Sequence, residues 1–467
     1  MVTEKIKFGT DGWRAIIAQD FTVYNVARVS KGLADWLLPQ FNQPVVVVGH
    51  DCRFGGQLFT EVTAKVLCAN GVKVLLAKGF ISTPMISMGV LMLKAQQGVV
   101  ITASHNPPSY NGFKLKGAHG GPSSPKDIAA VEALIPEEVN VPSQSLAYWE
   151  EKGLLEYINL EDMYVNYLKE KFDFNALAKS PFKMAYDAMY GAGQNVIRRL
   201  LPGAVLIHCE NNPGFNGQAP EPLDKNLKEL AHTVATTPEI KIGLATDGDA
   251  DRIGLYDGDG NFVDAHNIIL LLIHYLHKYK GMNGKVVVAF SVTDRVKKLC
   301  EHYGLTIEVT AIGFKYISEI MVHDDVLVGG EESGGIAVKG HIPERDGIYD
   351  GIVLYEFMTK SGKTLKELCE EVYAIVGHFS YDRHDLTIDN DKKNAIIKKA
   401  ADGGYTKFGK YGFNRTESID GIKYHLDNGG WVMLRASGTE PLLRVYAEGN
   451  SKEETLDILE EVKRTIL

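Results

Sequence analysis

One pattern constrains the fold of this 467-residue chain more than any other. An apolar run rich in β-branched residues leads into a polar turn, an amphipathic segment and a second apolar run, and this unit occurs over 44–76, 182–207 and 285–309. Such runs are typical of strands buried on both faces, and their alternation with helices predicts three related α/β domains with mainly parallel, mixed sheets. The irregular spacing of the copies indicates domain duplication rather than a solenoid.

The last part of the chain has a different pattern. Two strands are predicted over 430–434 and 442–446, followed by a helix that begins with a capping box from Ser451 to Glu454. The apolar stripe of that helix is expected to comprise Leu456, Leu459, Val462 and Ile466. A smaller C-terminal α+β domain is therefore predicted.

Composition shifts at 136–150 and 257–260 indicate linkers. Together with the changed pattern of the last part of the chain, they predict a first α/β domain over 1–148, a second over 149–257, a third over 258–374 and the α+β domain over 375–467. A net charge of −9 argues against a nucleic-acid or anionic-membrane partner, because either needs a broad basic field. The five cysteines form no Cys-x-x-Cys pair, and neither a leader nor a membrane-spanning run is found, so a cytoplasmic location is expected.

The segment Thr102-Ala103-Ser104-His105-Asn106, followed by two prolines, directly follows the apolar run 98–101. Ligands bind at the carboxyl ends of strands in open α/β sheets, and the prolines stop the strand. Ser104 is therefore a candidate nucleophile or phosphoryl carrier, with an ordinary strand-ending turn as the alternative.

A second motif, 246–252, carries Asp247, Asp249 and Asp251. If this segment is extended, its three carboxylates share one face and need a cation, for which oxygen ligands favour Mg²⁺ over Mn²⁺. A solvated acidic turn is the alternative.

Three further segments carry polar groups suited to a sugar phosphate. The run 435–441 contains Arg435, two hydroxyl residues and a glycine, and Arg444 follows on the next strand. These groups suit the binding of a phosphate dianion. The alternative is that Arg435 only pairs with Glu440. The glycine-flanked run 329–335 offers carboxylate and hydroxyl groups for sugar hydroxyls, or is a plain turn. The turns 8–14 and 111–114 each deliver one cation, Arg14 and Lys114.

Taken in order, these loops resemble those of the α-D-phosphohexomutase family, in its phosphoglucomutase/phosphomannomutase branch. The resemblance extends from Phe8 to the C-terminal helix. It implies four domains around a central active-site cleft, with one loop from each domain, and an isomerase of carbohydrate metabolism that moves a phosphoryl group within hexose phosphates.

The resemblance also implies a role for each matching residue. Ser104 is expected to be a phosphoserine in the active enzyme, so that the chain is a phosphoprotein. One Mg²⁺ per chain is expected at Asp247, Asp249 and Asp251, together with an oxygen of that phosphoserine. The groups expected around the reacting phosphoryl are Arg14, His105, Lys114 and Arg252. The residues expected to bind the substrate are Glu331, Ser333, Arg435, Ser437, Gly438, Thr439 and Arg444.

In the implied reaction, phosphoserine donates its phosphoryl group to the free hydroxyl of a hexose phosphate. The resulting 1,6-bisphosphate turns around and returns its other phosphate to Ser104. Glucose 1,6-bisphosphate is expected as activator and intermediate, hexose phosphates are the expected partners, and monomer or homodimer is left open.

One position departs from the family. Many relatives follow the Glu-x-Ser-Gly loop with a histidine, whereas this chain has Gly335. His341 is one hypothesis for the role of that histidine, and Lys114 is the preferred general base.

The run Glu331-Glu332-Ser333 resembles the glucose- and mannose-type enzymes more than the glucosamine type, which usually reads Glu-Gln-Ser-Gly-His. Phosphoglucosamine mutase is the alternative activity. A metal-dependent sugar phosphatase and an inactive sugar-phosphate binding protein are the remoter alternatives.

Overall fold

The computed structural model of the protein describes residues 5–9, 11–437 and 441–467. The chain divides into two compact units, one holding Met1–Val286 with Gly313–Cys369 and the other Val287–Ile312 with Glu370–Leu467. The serine, metal and sugar loops predicted above fall in the first unit, and the predicted phosphate loop falls in the second. Within the described residues, no helix has both the length and the apolar character to cross a membrane.

The first unit begins with a six-stranded mixed sheet. Its strands are β1 (Trp13–Ile16), β2 (Val45–His50), β3 (Lys73–Ala77), β4 (Gln97–Ile101), β5 (Tyr110–Gly117) and β6 (Leu155–Ile158). The helices of this region are α1 (Val23–Leu37), α2 (Gly56–Ala69), α3 (Thr83–Met92), α4 (Pro125–Ala133), α5 (Leu146–Glu151), α6 (Leu160–Lys171) and α7 (Phe174–Ala178). The strand order is β1-β5-β4-β2-β3-β6; the last four strands are parallel to one another, β5 is antiparallel to β4, and β1 is antiparallel to β5.

The central strands of this sheet are buried on both faces. Val46, Val47 and Val48 of β2 are fully buried, as are Val99 and Val100 of β4. Consecutive buried β-branched residues need helices on both sides of the sheet, because neighbouring side chains point to opposite faces. The predicted α/β fold class is confirmed.

A five-stranded sheet follows in the same unit. Its strands are β7 (Lys183–Asp187), β8 (Val205–Ile207), β9 (Ile240–Thr246), β10 (Ile253–Asp257) and β11 (Phe262–Val263), and its helices are α8 (Gln194–Leu200) and α9 (Lys228–Thr236). The order is β11-β10-β9-β7-β8, with β9, β7 and β8 parallel. Since β9 and β10 pair antiparallel from Thr246 and Ile253, the acidic motif is the turn between them.

The third repeat starts at the end of this region. Its elements are α10 (Ala265–His274), β12 (Lys285–Ala289), α11 (Arg295–Tyr303), β13 (Ile307–Thr310), α12 (Phe314–His323), β14 (Val326–Gly330), β15 (Ile336–Val338), α13 (Gly347–Ser361) and α14 (Leu365–Val376). Helix α10 continues into a short π-helix over Tyr275–Tyr279. In the first unit, β14 and β15 form an antiparallel hairpin with Gly330 opposite Ile336. The sugar loop is the turn of that hairpin.

The second unit contains an antiparallel sheet. Its elements are β16 (Ser380–Thr387), α15 (Asn390–Ala401), β17 (Lys407–Phe408), β18 (Tyr411–Glu417), β19 (Ile422–Leu426), β20 (Trp431–Ala436), β21 (Leu442–Gly449) and α16 (Lys452–Ile466). The strand order is β16-β21-β20-β19-β18-β17. Helices α15 and α16 pack on one face, whereas Trp431, Met433 and Tyr446 pack with Phe290 on the other. The C-terminal α+β domain is confirmed.

The apolar stripe of α16 differs from its prediction at one position. Ile458, Leu459, Val462 and Ile466 are buried, but Leu456 is 39% exposed. The buried positions follow the spacing of three and four residues that one helix face requires, and Leu456 lies at the solvent edge of that face. Ser451 Oγ accepts a hydrogen bond from Glu454 N at 3.2 Å, so the predicted N-terminal cap is present.

Candidate active site

Ser104 lies in the loop between β4 and β5 and is 1% exposed. Its φ of 52° is unusual for a residue other than glycine and costs on the order of 1 kcal/mol. Ser104 N donates to Thr102 Oγ1 at 2.9 Å, and Ser104 Oγ donates to Asp247 Oδ2 at 2.7 Å. The predicted serine and metal loops are thus in direct contact.

The acidic motif is a turn, so the prediction of an extended segment is wrong. Ala250 has a φ of 57°, and Ala250 N donates to Asp247 O at 3.0 Å. Asp247 Oδ1 also accepts from Asp251 N at 2.9 Å and from Arg252 N at 3.1 Å. An aspartate side chain that accepts hydrogen bonds from the backbone N–H groups of the residues after it favours a turn rather than an extended strand. The three carboxylates nevertheless converge, because the turn folds back on its first residue.

The donor set fits a hard divalent cation such as Mg²⁺. Asp247, Asp249 and Asp251 are fully buried, and one ligand atom from each lies within 4.8 Å of the others. In the described part of the chain, Asp249 Oδ1 and Asp251 Oδ1 are buried without a hydrogen-bond partner. Burial, together with the charges of Asp249 and Asp251, raises the pKa of Asp247 well above its usual range. A bound cation would relieve that repulsion.

Lys114 lies on β5 and is 1% exposed. Its Nζ is 2.8 Å from Asp249 Oδ2, 3.2 Å from Asp251 Oδ2 and 2.8 Å from Asp11 Oδ2. Burial works against its charge, but these carboxylates raise the pKa of Lys114 above its usual value. An ammonium ion has no lone pair for a proton, so this geometry gives no support to Lys114 as the general base.

Three other predicted groups surround the serine loop. His105 Nδ1 is 3.4 Å from Ser104 Oγ, and burial, with the nearby charges of Arg252, Arg14 and Lys114, lowers the pKa of His105 well below its usual value. Arg14 Nη1 donates to Asn106 Oδ1 at 2.7 Å. Arg252 Nη1 is 3.5 Å from Glu221 Oε1. The imidazole is therefore neutral among fixed cations.

Arg53 is a residue of this site that the sequence reasoning missed. Its Nη2 donates to the carbonyls of Ser104 and Asn106 at 2.5 and 2.6 Å, and its Nη1 to those of Pro107 and Tyr110 at 2.9 and 3.1 Å. One buried guanidinium thus binds four backbone carbonyls of the serine loop. The tripeptide Asp51-Cys52-Arg53 follows β2, and its place after a strand was the signal available in the sequence.

Asp51 completes this support. Its Oδ2 is 3.3 Å from Arg53 Nε and accepts from Thr102 Oγ1 at 2.5 Å. Burial raises the pKa of Asp51 to about 6, although Arg53 and Thr102 act against that rise. Since Thr102 Oγ1 in turn accepts from Ser104 N, the chain from Asp51 to Ser104 fixes the backbone of the nucleophile.

A second group of missed residues holds the metal loop. Thr83, at the start of α3, donates from its backbone N to Asp249 O at 3.0 Å and from Oγ1 to Asp249 Oδ2 at 2.5 Å. Arg345 Nη2 lies 2.9 Å from both Asp251 Oδ2 and Asp11 Oδ2. No motif marked Thr83 or Arg345 in the sequence.

The sugar loop follows β14. Glu331 is 6% exposed, and burial, with a contribution from Glu332, raises the pKa of Glu331 to about 7. Glu331 N donates to Gly335 O at 3.1 Å, and Gly334 O accepts from Ile253 N at 3.0 Å. Gly334 has a φ of 87° and leaves no room for a side chain, because an added Cβ would lie 2.6 Å from Ile253 O. The sugar loop, which includes the half-buried Ser333, is therefore fastened to the end of the metal loop.

The side chain of His341 takes part in packing and hydrogen bonding near the start of α13. Its Nε2 is 2.8 Å from Asp346 Oδ2, its Nδ1 is 3.1 Å from the Tyr167 hydroxyl, and its ring stacks on Tyr349 at 3.8 Å. Tyr164 also donates to Asp346, at 2.7 Å. These contacts anchor the start of α13 and give no support to the hypothesis that His341 takes over the role of the absent histidine.

The predicted phosphate loop joins β20 and β21 in the second unit. Arg435 Nε and Nη2 donate to the two carboxylate oxygens of Asp420 at 3.0 and 3.1 Å. Ser437 N donates to Leu442 O at 2.9 Å, and Arg444 Nε is 4.0 Å from Asp385 Oδ1. Gly438 and Thr439 lie outside the described residues, as does Glu440, the alternative partner of Arg435.

Profiles of one protein family match the chain domain by domain. Those of phosphoglucomutase/phosphomannomutase alpha/beta/alpha domains I, II and III match residues 5–141, 162–260 and 264–376, and that of the C-terminal domain matches 388–465. The predicted domain boundaries after residues 148, 257 and 374 stay predictions.

Individual relatives agree with these matches. The phosphoglucomutase/phosphomannomutase of Thermococcus kodakarensis is 30% identical over 458 residues, which are 97% of this chain and 96% of the relative. The phosphoglucosamine mutase of Carboxydothermus hydrogenoformans is 30% identical over 97% of this chain and 98% of its own. The crystal structure of a "putative phosphomannomutase" from Thermus thermophilus superposes with a TM-score of 0.87 at 34% identity, covering 100% of both chains.

The chain therefore belongs to the phosphoglucomutase/phosphomannomutase family, the α-D-phosphohexomutases. It is an isomerase of the intramolecular phosphotransferase class.

Proposed function

We propose that this enzyme interconverts a hexose 1-phosphate and the hexose 6-phosphate through a phosphoserine at Ser104 and a hexose 1,6-bisphosphate. The observation that carries the proposal is the 2.7 Å contact between Ser104 Oγ and Asp247 Oδ2. It places a buried hydroxyl against a cluster of three carboxylates with the donor set of a Mg²⁺ site. Positioning and charge stabilisation are the main demands of phosphoryl transfer.

Ser104, Asp247, Asp249 and Asp251 would hold one Mg²⁺ per chain, with Ser104 contributing an oxygen of its phosphate. When bound, the ion supplies positive charge that offsets the charge on the phosphoryl oxygens. Arg14, Lys114 and Arg252 add fixed positive charge around the serine loop. Burial, together with these cations, keeps His105 neutral, so that its Nδ1, 3.4 Å from Ser104 Oγ, can accept a proton there.

The transfer balances as two half-reactions. In the first, the bond between phosphorus and Ser104 Oγ breaks and a bond forms between phosphorus and the free sugar hydroxyl, whose proton passes to a base while Ser104 Oγ gains one. In the second, Oγ loses that proton and attacks the phosphorus at the other end of the bisphosphate, and the oxygen released from phosphorus takes a proton to become the new free hydroxyl. Glucose 1,6-bisphosphate is the corresponding activator.

The sugar must bind in two opposite orientations, so its contacts have to be few. Glu331 and Ser333 supply one carboxyl and one hydroxyl for the sugar hydroxyls. The phosphate that is not transferred is assigned to the phosphate loop, in which Arg435, Ser437 and Arg444 are described and Gly438 and Thr439 are not. Guanidinium and hydroxyl donors suit a phosphate dianion.

The Glu331-Glu332-Ser333 run favours glucose and mannose as the sugars. The relatives of this chain support phosphoglucosamine mutase equally well. Relatives with both names match nearly the whole chain. Structural neighbours with the same fold include an Aspergillus fumigatus N-acetylphosphoglucosamine mutase in complex with GlcNAc-6P and magnesium, and a variant of that enzyme in complex with glucose 1,6-bisphosphate. The 1-phosphates of glucose, mannose and glucosamine therefore belong in one assay.

The test is conversion of glucose 1-phosphate, mannose 1-phosphate and glucosamine 1-phosphate to their 6-phosphates, with Mg²⁺ and a trace of the matching bisphosphate. We expect turnover by the wild type, with loss of at least about 1,000-fold in Ser104→Ala, which removes the phosphoryl carrier. Ser109→Ala, which removes an exposed hydroxyl of the same loop, is the matched control and should keep wild-type turnover. Phosphate release faster than isomerisation would instead identify a phosphatase, and binding without turnover would identify a sugar-phosphate binding protein.

A further inference from the structure

Two arginines of the second unit lie side by side where the predicted phosphate loop begins and ends. Arg435 of β20 stands directly opposite Arg444 of β21 in the antiparallel register. Opposite residues of two such strands have their Cβ atoms about 5 Å apart, so two like charges in this arrangement repel each other. The pair of arginines therefore needs negative charge beside it.

Asp420 supplies negative charge to the first of these arginines. Arg435 Nε donates to Asp420 Oδ1 at 3.0 Å, and Arg435 Nη2 donates to Asp420 Oδ2 at 3.1 Å. Two parallel hydrogen bonds of this kind make a strong and directional charge-assisted pair. Because a guanidinium is planar and rigid, bonds along one edge also fix the direction of the opposite edge. Asp420 therefore determines where the Arg435 guanidinium points.

The partner of Arg444 holds it less firmly. Asp385 of β16 stands opposite Arg444 in the register, but Arg444 Nε is 4.0 Å from Asp385 Oδ1. The same carboxylate oxygen is 2.9 Å from Arg383 Nε. Among the residues that the structure describes, Arg444 Nε is buried without a hydrogen-bond partner. Of the two arginines, Arg435 is thus the one whose direction an aspartate fixes.

The turn that carries Asp420 is itself held in place. It joins β18 to β19, and its Gly421 has a φ of 100°. A Cβ added to Gly421 would lie 2.6 Å from a backbone oxygen of β20 and 3.1 Å from Arg435 Cβ, so glycine permits the close approach of this turn to β20. The backbone N of Ile312, in the same unit, also donates to Asp420 Oδ2 at 3.1 Å. The position of Asp420 therefore does not depend on Arg435 alone.

The exposure of the pair suits a role in binding. The side chains of Arg435 and Asp420 are 20% and 26% exposed. Ion pairs that are open to solvent contribute little to stability, whereas a fully buried pair has no access to a ligand. A bidentate pair that is partly exposed at the start of the phosphate loop is therefore better suited to orient a cation than to stabilise the fold.

We propose that Asp420 is a positioning residue that orients the Arg435 guanidinium to bind the phosphate group that is not transferred. The inference rests on the proposed function and adds a residue that acts through Arg435. Loss of Asp420 should weaken the binding of that phosphate and leave the transfer step at Ser104 unchanged. The opposite role, a carboxylate that competes with the phosphate for Arg435, predicts tighter binding when Asp420 is lost.

The test measures kcat and KM of the wild type, Asp420→Asn, Arg435→Met and the double variant, with the sugar phosphate that the wild type turns over fastest. Asp420→Asn keeps the size of the side chain and removes its charge. We expect KM to rise by about 10-fold and kcat to stay within about 2-fold, because the phosphate is bound equally in the ground and transition states. Asp402→Asn, which changes an exposed aspartate of the same unit, is the matched control and should keep wild-type kinetics.

The double variant shows whether Asp420 acts through Arg435. Arg435→Met should raise KM by about 100-fold, and the double variant should match it within about 2-fold, because Asp420 has nothing to orient once the guanidinium is gone. Circular dichroism and the melting temperature establish that each variant is folded. The proposal is overturned if KM of Asp420→Asn falls or stays within about 2-fold of the wild type, or if the double variant is about 10-fold worse than Arg435→Met.

A chemical-modification experiment separates this inference from the proposed function. Phenylglyoxal, which reacts with guanidinium groups, is applied to the wild type and to Asp420→Asn at increasing concentrations of inorganic phosphate, and peptide mass spectrometry follows Arg435. We expect phosphate to protect Arg435 in the wild type, and half-protection of Asp420→Asn to need about 5-fold more phosphate.

The two experiments fail in different ways. If the wild type turns over none of the three sugar phosphates, the proposed function fails, and the protection of Arg435 alone then decides the role of Asp420. The expected shift in half-protection supports that role without any turnover. Equal half-protection in the wild type and Asp420→Asn overturns it.

Discussion

At the scale of single residues, the nucleophile is positioned through its backbone as much as through its hydroxyl. Arg53 binds the carbonyl of Ser104, and Thr102 accepts from its amide. These contacts offset the strain of a φ of 52° and aim Oγ at Asp247. A buried guanidinium whose donors are used by carbonyls costs much less than an unpaired one.

Glu331 provides a test of burial at this scale. Its pKa is raised to about 7 in the folded protein, against 4.5 for an ordinary glutamate. Between pH 4.5 and about 7, the carboxyl keeps its proton in the folded state and has lost it in the unfolded state. The contribution of Glu331 to the free energy of unfolding is therefore complete below pH 4.5 and is lost as the pH rises through about 7. The loss is at most about 3 kcal/mol.

Glu331→Gln should remove this dependence, since an amide does not ionise. We expect the melting temperature of the variant to exceed that of the wild type at pH 8 and to approach it at about pH 4.5. Differential scanning calorimetry of both proteins across this range measures the difference. A difference that does not change with pH would show that the pKa of Glu331 is the same in the folded and unfolded states.

At the scale of elements, all four candidate loops connect adjacent antiparallel strands. The serine loop joins β4 to β5, the metal loop β9 to β10, the sugar loop β14 to β15 and the phosphate loop β20 to β21. An antiparallel pair fixes both ends of its turn, so a polar loop can hold strained backbone without losing its position. This explains how Ser104 and Ala250 keep positive φ angles.

Helix α16 tests the packing of the second unit. Leu459 is fully buried and Leu456 is 39% exposed, three positions apart on the same helix. Leu459→Ala should destabilise the unit by about 2 to 5 kcal/mol because it leaves a cavity, whereas Leu456→Ala should cost less than about 1 kcal/mol. Urea unfolding of the two variants, followed by circular dichroism, compares the two losses, and equal losses would contradict the observed stripe.

At the scale of the whole molecule, the charge distribution matters more than the net charge of −9. The first unit buries Lys114, Lys116 and Arg345 among carboxylates, of which Asp11, Asp251 and Glu344 are in direct contact with them. Burying so many charges is tolerable only when each is paired. The net charge of the chain therefore says little about the local charge at this site.

Metal addition should raise the stability of the molecule. Three buried carboxylates with two unpartnered oxygens form a candidate cation site that exists only in the folded state, so Mg²⁺ at 100 times its dissociation constant should add about 2.7 kcal/mol. The melting temperature with Mg²⁺ is compared with that in NaCl of equal ionic strength. Asp251→Asn should lose the gain, and a wild type that melts at the same temperature in both salts would contradict a metal site.

The sequence by itself determined the elements and much of the chemistry. Consecutive β-branched runs favour strands buried on both faces, because alternate residues of a strand point to opposite faces, and this predicted the α/β domains. Ser104 and the three aspartates stand in short segments whose residue types make them candidates for phosphoryl and metal chemistry, and the family resemblance implies those roles. Local cues of this kind need no knowledge of which segments meet.

Only the tertiary structure decided the partners of those residues. Thr83 and Arg345 lie 166 and 94 positions from Asp249 and Asp251, which they contact, and no local pattern marks either of them. The acidic motif was predicted to be extended, but backbone N–H groups donate to Asp247 and make the segment a turn. The periodicity of the sequence does not reveal such hydrogen bonds.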